Sequence, residues 1–309
     1  MDGNKNGFVA GCQKVNVDLV YEGLPRIPGE GHEVYARDFS VQMGGGYPGT
    51  LCNLSRLGVP VCLMTMLGTD MFSAFAEDYF RKNHMEVLNL TPGTDRIPVN
   101  ISSVLLTPGD RTFVSYGGQQ AWTEEMSRKV REHTEGARIC LLDAEHPELY
   151  RPLKEQGTIL VLDTGWSDDM FLESWEELLT LADYYTPNQK EAMKLTGTDT
   201  PEKAAEVLSK YFDRVVVKLD AAGCLLMEEG RMQVVPAIPD TVFRDATGAG
   251  DAFLAGFLYG LYHGYSFAET VLCGNIMGAR CVSGIGCLTN GYSEPEFLAI
   301  FDRYREMTY

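Results

Sequence analysis

The second half of the chain alternates short buried apolar runs with stretches of helical length, and this alternation constrains the fold most. Residues 138–142 and 158–163 read as buried strands, and residues 147–156 and 168–182 read as the helices that follow them. Strands separated by single helices are joined by right-handed crossovers and pair in parallel. The sequence therefore predicts an α/β fold with a mostly parallel sheet, whose ligands bind at the carboxyl ends of the strands.

Composition limits the classes of partner. The 309 residues suffice for one large α/β domain or two smaller ones, and a net charge of −17 argues against nucleic acid and anionic membranes as partners. The eight cysteines form no Cys-x-x-Cys pair and most lie in apolar runs, which predicts buried reduced thiols and a cytoplasmic protein. The sequence shows no secretion signal and no apolar run of membrane-spanning length.

Residues 245–258 combine an anion-binding pattern with a candidate base. A buried helical face is indicated by apolar residues at the spacing of Phe253, Leu254, Phe257, Leu258 and Leu261. Before it, Gly248, Ala249 and Gly250 leave backbone N–H groups uncovered at a helix start, where the dipole favours an anion such as a phosphate. Asp251 in the first turn could take a proton from an attacking hydroxyl. A tight turn into a helix with an acidic first turn is the simpler alternative for this short string.

A second glycine cluster admits a competing interpretation. Residues 44–49 satisfy Gly-x-Gly-x-x-Gly after a predicted strand at 34–43 and before a predicted helix, with Asp70 further on. This arrangement is typical of a dinucleotide-binding Rossmann unit, and therefore of an oxidoreductase. The motif does not follow the first strand, and Pro48 lies among its glycines. No Gly-x-x-x-x-Gly-Lys-Ser/Thr string occurs, which excludes the ordinary phosphate loop.

Alternating residues predict a small additional sheet. Strands near residues 100–106 and 111–116 flank a turn-forming cluster at 107–110 and read as a hairpin. Together with residues 17–42, this hairpin is expected to form a sheet that projects from the main body.

Two local patterns remain open between structural and functional roles. Asn188 and Glu191 lie at a predicted helix start, where an N-cap and an acidic first turn explain both residues without any function. Glu145 and Asp163 end two predicted strands, where capping of a loop is an equally good explanation for Glu145.

The string from Asp245 to Asp251, Asp-Ala-Thr-Gly-Ala-Gly-Asp, resembles the C-terminal signature of the ribokinase-like (PfkB) carbohydrate kinases. Further matches between Asn16 and Gly286 follow that family's order. The Asn-x-Asp motif is Asn16 to Asp18, and the Gly-Gly motif is Gly44 and Gly45, with its Arg-Leu-Gly at 56–58. The Asn-x-x-Glu motif is Asn188 to Glu191, and the strand end near the nucleotide is matched by Lys218, Leu219 and Gly223.

The resemblance implies a three-layer α/β sandwich with a mostly parallel central sheet, formed by residues 1–309 as a single domain. The small sheet, with strands from about 17–42 and 97–118, would be a lid over the substrate. The implied activity is ATP-dependent phosphorylation of a hydroxymethyl group on a sugar or sugar-like molecule. A homodimer formed through the lid is a further implication.

Residue roles also follow from the resemblance. The anion hole would be formed by Gly248, Ala249 and Gly250, with Asp251 as the base. The substrate would be bound by Asn16, Asp18, Gly44, Gly45 and Glu145. Mg²⁺ would be held through water by Glu191, and the nucleotide would be contacted by Asn188, Glu191, Lys218, Gly223, Asn275 and Gly286. K⁺ is implied near Asp245 and Ser283.

Two positions depart from the family pattern. Gly49 stands where an asparagine usually contacts the substrate, with Asn53 one helical turn later, and Asp220 replaces a glycine near the nucleotide. These departures keep a non-catalytic sugar-binding sensor open as a second hypothesis. A nucleoside kinase and the Rossmann oxidoreductase stay open as well.

Overall fold

The computed structural model describes residues 7–109 and 111–308. In chain order, the strands are β1 (Val9–Cys12), β2 (Asn16–Glu22), β3 (Asp38–Met43), β4 (Val61–Thr65), β5 (Glu86–Asn89), β6 (Asn100–Leu106), β7 (Arg111–Tyr116), β8 (Ile139–Leu141), β9 (Ile159–Leu162), β10 (Tyr184–Tyr185), β11 (Arg214–Lys218), β12 (Cys224–Glu228) and β13 (Arg231–Val235). The α-helices are α1 (Tyr47–Arg56), α2 (Met71–Lys82), α3 (Glu124–Thr134), α4 (Arg151–Glu155), α5 (Leu172–Leu181), α6 (Gln189–Thr196), α7 (Pro201–Leu208), α8 (Ala249–His263), α9 (Phe267–Val282) and α10 (Glu294–Tyr304).

A six-stranded parallel sheet forms the centre, in the order β10-β9-β8-β1-β4-β5. Strand β1 is buried along its whole length, and its Val9 pairs with Val61 on one side and Ile139 on the other. A strand covered on both faces is apolar at every position, which explains why these strands read as continuous apolar runs.

Helices cover both faces of this sheet. Alternate residues of each strand contribute to one of two hydrophobic clusters, as Val9 and Ala10 of β1 show. One cluster contains residues of α1, α2, α8, α9 and α10, and the other contains residues of α3, α4, α5, α6 and α7. The predicted three-layer α/β sandwich is therefore confirmed.

A second, antiparallel sheet of β11, β12 and β13 continues beside β10. A parallel bridge between Asn188 and Lys218 connects the end of β11 to the start of α6. This bridge brings Lys218 to the carboxyl edge of the central sheet, where Asp163 follows β9.

The third sheet, here called the lid sheet, consists of β3, β2, β6 and β7 in that order. Both strands of the β6–β7 hairpin have the predicted bounds, whereas β3 begins at Asp38 rather than at residue 34. Because β3 belongs to the lid sheet, residues 44–46 connect a lid strand to α1, whose first turn contains residues 47–49, and the glycine motif does not start a βαβ unit. The Rossmann interpretation is therefore wrong.

Several element boundaries differ from those predicted. The helix predicted at 147–156 is a 3₁₀ turn, Pro147–Leu149, followed by α4, because Pro152 interrupts the backbone hydrogen bonding of one continuous helix. Helix α5 begins at Leu172 instead of residue 168. The short strands β5 and β10 and the C-terminal helix α10 were not predicted.

All eight cysteines are free and buried, as expected for reduced thiols. Within the part of the chain that the structure describes, no helix has the length and apolar character needed to cross a membrane.

Candidate active site

Helix α8 begins at the glycine cluster at residues 248–250. Gly248 caps the helix with φ of +76°, a conformation that favours glycine. A Cβ at this position would also lie 2.7 Å from the Cα of Cys287. Both constraints exclude larger residues, so the backbone at the helix start stays uncovered.

The amides of this turn are not equivalent. The Ala249 N–H donates to the Ala246 carbonyl at 3.2 Å. Gly250 and Asp251 occupy the second and third helical positions, whose N–H groups have no acceptor within the helix. The N–H groups of Gly250 and Asp251 are therefore better placed than that of Ala249 to receive an anion.

The carboxylate of Asp251 lies against residues 44–46. A Cβ on Gly45 would overlap the Asp251 Oδ2 atom, and the backbone N–H of Gly46 donates to the carboxylate. Burial, together with the nearby charge of Asp163, raises the pKa of Asp251 to about 7. A carboxyl group with this pKa is half ionised near neutral pH and is suited to act as a general base.

Lys218 connects this carboxylate to the central sheet. Its Nζ atom lies 3.4 Å from Asp163 Oδ1, and each of the two side chains is 14% exposed. A Cβ on Gly250 would lie 3.4 Å from the same Nζ, so the ammonium group is next to the start of α8. Burial by itself lowers the pKa of Lys218, but Asp163 and Glu191 raise it overall, which keeps the cation charged.

Asp163 is identifiable in the sequence only as a strand end. It accepts a hydrogen bond from Thr186 Oγ1 at 2.8 Å, and burial raises its pKa despite the opposing effect of Lys218. Because Asp163 also raises the pKa of Asp251, the two carboxylates and Lys218 form one electrostatic unit. Sequence spacing could not reveal this unit, since its members come from three separate strands and helices.

The predicted sugar-binding residues converge on the same loop from the lid sheet. Asn16 donates to the Gly45 carbonyl at 3.2 Å and accepts from Asn100 at 2.8 Å. A Cβ on Gly44 would lie 3.0 Å from Asp18 Oδ2, so this glycine lets the backbone pass beside the carboxylate. Burial raises the pKa of Asp18 to about 6.

A cavity of about 340 Å³ opens at the carboxyl ends of the central strands. It is lined by Asn16, by the predicted Glu145, and by residues that no sequence motif indicated, including Lys14, Thr65, Trp122 and Asp143. The Lys14 ammonium donates to the Gly118 carbonyl at 2.9 Å. The lining therefore offers hydroxyl-binding groups of both charges, together with the aromatic side chains of Tyr47 and Trp122.

Asn188 and Glu191 form a complete capping box at the start of α6. Asn188 Oδ1 accepts from the Lys190 and Glu191 N–H groups, and Glu191 Oε2 accepts from the Asn188 N–H at 2.8 Å. Burial raises the pKa of Glu191, while Lys218 opposes this shift. The local structural explanation is thus observed, and it fixes the Glu191 carboxylate on the side that faces Lys218.

These groups fit Mg²⁺, which prefers oxygen ligands and retains several waters when it binds phosphates. Glu191 supplies the carboxylate that would hold the metal through water, whereas Asp163 is already paired with the Lys218 ammonium. Among residues 7–109 and 111–308, no three His, Cys, Asp or Glu side chains are grouped like the ligands of a metal site. Such a sparse arrangement suits a metal carried mainly by nucleotide phosphates and water.

Gly223 and Asn275 lie together at the edge of the antiparallel sheet. A Cβ on Gly223 would overlap the Val235 carbonyl oxygen. The Asn275 amide donates to the carbonyls of Val235 and Pro236 and accepts from the Cys224 thiol. Both residues therefore shape the backbone of β12 and β13, in addition to any contact with a nucleotide.

The two departures from the family pattern have local explanations. Asp220 has φ of +53°, in the region that favours glycine, and its carboxylate accepts from Gln189 at 2.8 Å. A Cβ on Gly49 would lie 3.2 Å from the Gly44 carbonyl, which leaves little room for a side chain. Asn53 is 1% exposed, and its amide oxygen lies near Gly291.

Asp245 is bound by groups from three parts of the chain. Its Oδ1 accepts from Arg111 Nη1 at 2.8 Å and from the Thr247 hydroxyl and N–H at 2.7 and 3.0 Å, and its Oδ2 accepts from the Gly286 N–H at 2.9 Å. Although burial by itself raises the pKa of Asp245, the bonds from Gly286, Thr247 and Arg111 lower it overall.

These contacts do not fit a monovalent metal ion at the Asp245 carboxylate. Two unit positive charges about 4 Å apart repel each other by about 4 kcal/mol at an effective dielectric constant of about 20. A metal ion on Oδ1 would stand that close to the Arg111 guanidinium, and Oδ2 already accepts from the Gly286 N–H. The second residue implied for K⁺, Ser283, donates to the Arg280 carbonyl at 2.7 Å and accepts from Asn290.

The chain is similar to sugar kinases in sequence and in structure. The chain is 27% identical to Arabidopsis thaliana ribokinase over 289 residues, covering 88% of this chain and 75% of that protein. It is 27% identical to the 2-dehydro-3-deoxygluconokinase of Bacillus subtilis over 295 residues, covering 87% and 89%. The structure of Arabidopsis thaliana ribokinase complexed with ribose and ATP superposes with a TM-score of 0.84 at 25% identity, covering 96% and 98%. The profile of the pfkB family carbohydrate kinases matches residues 11–293, and the chain therefore belongs to that family.

Proposed function

We propose that this sugar kinase transfers the γ-phosphoryl group of Mg·ATP to a hydroxymethyl group of a sugar or sugar-like small molecule, with Asp251 as the base. One observation carries the proposal. The Asp251 carboxylate, with a pKa of about 7, lies between the glycine loop of the substrate side and the uncovered amides at the start of α8. A hydroxyl group placed there would meet both a proton acceptor and an anion site.

In the proposed reaction the substrate hydroxyl loses its proton to Asp251 as its oxygen attacks the γ-phosphorus. The new P–O bond forms while the bond between the γ-phosphorus and the β,γ-bridging oxygen breaks, and ADP leaves with the electron pair of that bond. Gly248, Ala249 and Gly250 form the turn that holds the transferring group, and the N–H groups of Gly250 and Asp251 stabilise its negative charge. The Lys218 ammonium group, which lies next to Gly250, stabilises the same negative charge.

Mg²⁺, when bound, neutralises part of the phosphate charge. The chain fixes Asn188 and Glu191 through their capping box. Both residues would contact the metal and the nucleotide phosphates through water. Gly223, Asn275 and Gly286 would support the nucleotide mainly through the shape of their backbones.

On the substrate side, Asn16 and Asp18 would orient the sugar hydroxyls across Gly44 and Gly45, and Glu145 would contact the far end of the cavity. The hydrogen bonds from Asn100 and to the Gly45 carbonyl fix the orientation of the Asn16 amide. Its remaining donor and acceptor positions therefore have fixed directions in which to bind a sugar hydroxyl. The lid sheet would exclude water, which otherwise competes with the sugar for the phosphoryl group.

A thermal-shift screen tests substrate class first. The protein is heated with sugars, sugar acids and nucleosides, each with and without a non-hydrolysable ATP analogue. A binding substrate should raise the Tm, and the rise should be larger with the analogue present. Stabilisation by nucleosides alone would favour a nucleoside kinase over a sugar kinase.

Coupled ADP release then separates a kinase from a non-catalytic sensor, the hypothesis suggested by Gly49 and Asp220. A kinase releases ADP in proportion to added substrate. A sensor binds the same compound in the thermal-shift screen without releasing ADP. Because Asp220 and Gly49 have local structural explanations, we expect turnover.

A homodimer through the lid sheet is the proposed assembly. Large apolar side chains are exposed on the lid sheet and on the segment that precedes β3. Val114 of β7 is 65% exposed, and Tyr35, before β3, is 77% exposed. Exposed apolar area of this kind typically marks an interface. Light scattering should give twice the chain mass, and Val114→Asp should halve it. Val242→Asp, at a site with a 63% exposed side chain outside the lid sheet, is the matched control and should leave the mass unchanged.

The proposed compartment is the cytoplasm. Eight buried free thiols suit a reducing environment. A fluorescent fusion that co-fractionates with membranes or secreted material would contradict this assignment.

A further inference from the structure

We propose that the guanidinium group of Arg111 is a built-in cation at Asp245, so that this protein needs no monovalent metal ion there. The inference rests on the proposed function only in assigning phosphoryl transfer to the loop that leads from Asp245 to α8. Its cation, Arg111, belongs to the lid sheet and is far from this loop in sequence.

The protein binds both oxygens of the Asp245 carboxylate. Both oxygens accept hydrogen bonds: Oδ1 from Arg111 and Thr247, and Oδ2 from the Gly286 N–H. Arg111 Nη1 also donates to Thr247 Oγ1 at 2.7 Å, so the guanidinium group contacts two members of the loop that leads to α8. The pair is partly buried, with side chains 36% and 16% exposed.

The cation comes from the lid sheet. Arg111 is the first residue of β7, and β7 is an outer strand of the lid sheet. The other outer strand, β3, approaches the same region, because a Cβ on Gly286 would overlap Gln42 Oε1 and lie 2.9 Å from Gln42 Cδ. Both outer strands of the lid sheet therefore contact the segments that surround Asp245.

It follows that charge neutralisation and lid position are coupled. A diffusible ion would neutralise Asp245 whatever the position of the lid sheet. Arg111 neutralises Asp245 only when β7 packs against the loop that leads to α8. The conformation of this loop therefore depends on the position of the lid sheet.

The test uses the full-length chain without nucleotide or sugar, melted in KCl and in choline chloride at equal ionic strength. For the wild type we expect Tm values in the two salts that agree within about 1 °C, because no ion binds the native state in preference to the unfolded chain. Arg111→Met should melt lower in choline chloride, and KCl should restore at least half of that loss. Arg111→Lys, which keeps the charge, should again be indifferent to K⁺.

Arg37→Met is the matched control, because Arg37 is an exposed arginine on the chain segment just before β3. It should behave as the wild type in both salts. If Arg111→Met shows no cooperative transition, Arg111→Gln replaces it, and its Tm in the two salts is compared with that of the wild type.

Two results would overturn the proposal. One is a wild-type Tm that KCl raises well above its value in choline chloride, since a metal site would then coexist with Arg111. The other is a charge-removing variant that melts lower but does not respond to K⁺. Because the melts need no turnover, they are independent of the proposed reaction. Failure to release ADP with any sugar would contradict only the kinase assignment.

Discussion

The backbone of Gly45 passes so close to the carboxylate of Asp251 that a methyl group on Gly45 would overlap Oδ2 and lie 3.1 Å from Cγ. Gly45 belongs to the loop that leaves the lid sheet, whereas Asp251 belongs to the first turn of α8. The loop that contains Gly45 and the proposed base are therefore in direct contact, with no side chain between them.

Gly45→Ala should displace either the loop or the Asp251 carboxylate. A misplacement on the order of 1 Å costs about 100-fold in rate, so we expect kcat/KM to fall by about that factor. Steady-state ADP release measures the effect. Gly117→Ala is the control, because a Cβ at Gly117 meets open space, and it should retain wild-type activity. Full activity in Gly45→Ala would contradict the proposed contact between loop and base.

Asp251→Asn should remove turnover while making the protein more stable at neutral pH. General bases contribute about 10²–10⁴-fold, which sets the expected loss in kcat. The folded-state pKa of Asp251, about 7, is above the ordinary value of 3.8, so ionisation opposes folding and stability falls as pH rises between these values.

The Asn variant removes that penalty, and we expect its free energy of unfolding at pH 8 to rise by roughly 2–4 kcal/mol, with a smaller gain at pH 5. Denaturant unfolding at both pH values measures it. Asp302→Asn, at an exposed carboxylate on α10, should change neither activity nor stability. A destabilised Asp251→Asn would show that the carboxylate is a structural partner instead of a buried base.

The pH dependence of kcat/KM should show an acid limb near pH 7. A base works in its ionised form, so activity is lost as pH falls through the pKa of Asp251, about 7, and further through that of Asp18, about 6. Initial rates between pH 5 and 9 measure this profile. A flat profile down to pH 5 would argue that the base is another group.

Lys218→Met should weaken both stability and catalysis. Removing one partner of a buried ion pair costs about 3–5 kcal/mol, and the 14% exposure of Lys218 and Asp163 places the expected loss near the lower end. Loss of the cation should also raise the pKa of Asp251, because Lys218 opposes the other charges there, and so move the acid limb to higher pH.

The double variant Asp163→Asn with Lys218→Met should regain part of the stability, since the Asp163 carboxylate is then no longer left without its cation, whereas Glu191 still is. Lys210→Met, at an exposed position, is the control. Equal effects of the single and double variants on unfolding would contradict the pairing.

Local patterns predicted the parts of the molecule whose causes are local. The β6–β7 hairpin was predicted at its observed bounds because alternation and a turn cluster define it, and the start of α8 because its glycines and apolar spacing are contiguous. Strand β5 was missed because Glu86–Asn89 carries no apolar run.

Local patterns could not predict which charged residues pair over long distances in the sequence. Arg111 and Asp245 are 134 positions apart, and Asp163 and Lys218 are 55 apart, so nothing in either neighbourhood signals the other. The resemblance implied a metal ion at Asp245 for the same reason: the lid arginine that occupies the carboxylate is visible only in the folded chain.

Phosphorus NMR of the reaction mixture tests the central claim most directly. The protein is incubated with Mg·ATP and the compound that stabilises it best in the thermal-shift screen, and Asp251→Asn is treated in parallel. The account predicts a new phosphomonoester on a hydroxymethyl carbon, formed in equal amount with ADP by the wild type and at most a hundredth as fast by the variant. A phosphomonoester formed equally fast by both proteins, or ADP accompanied only by inorganic phosphate, would contradict it.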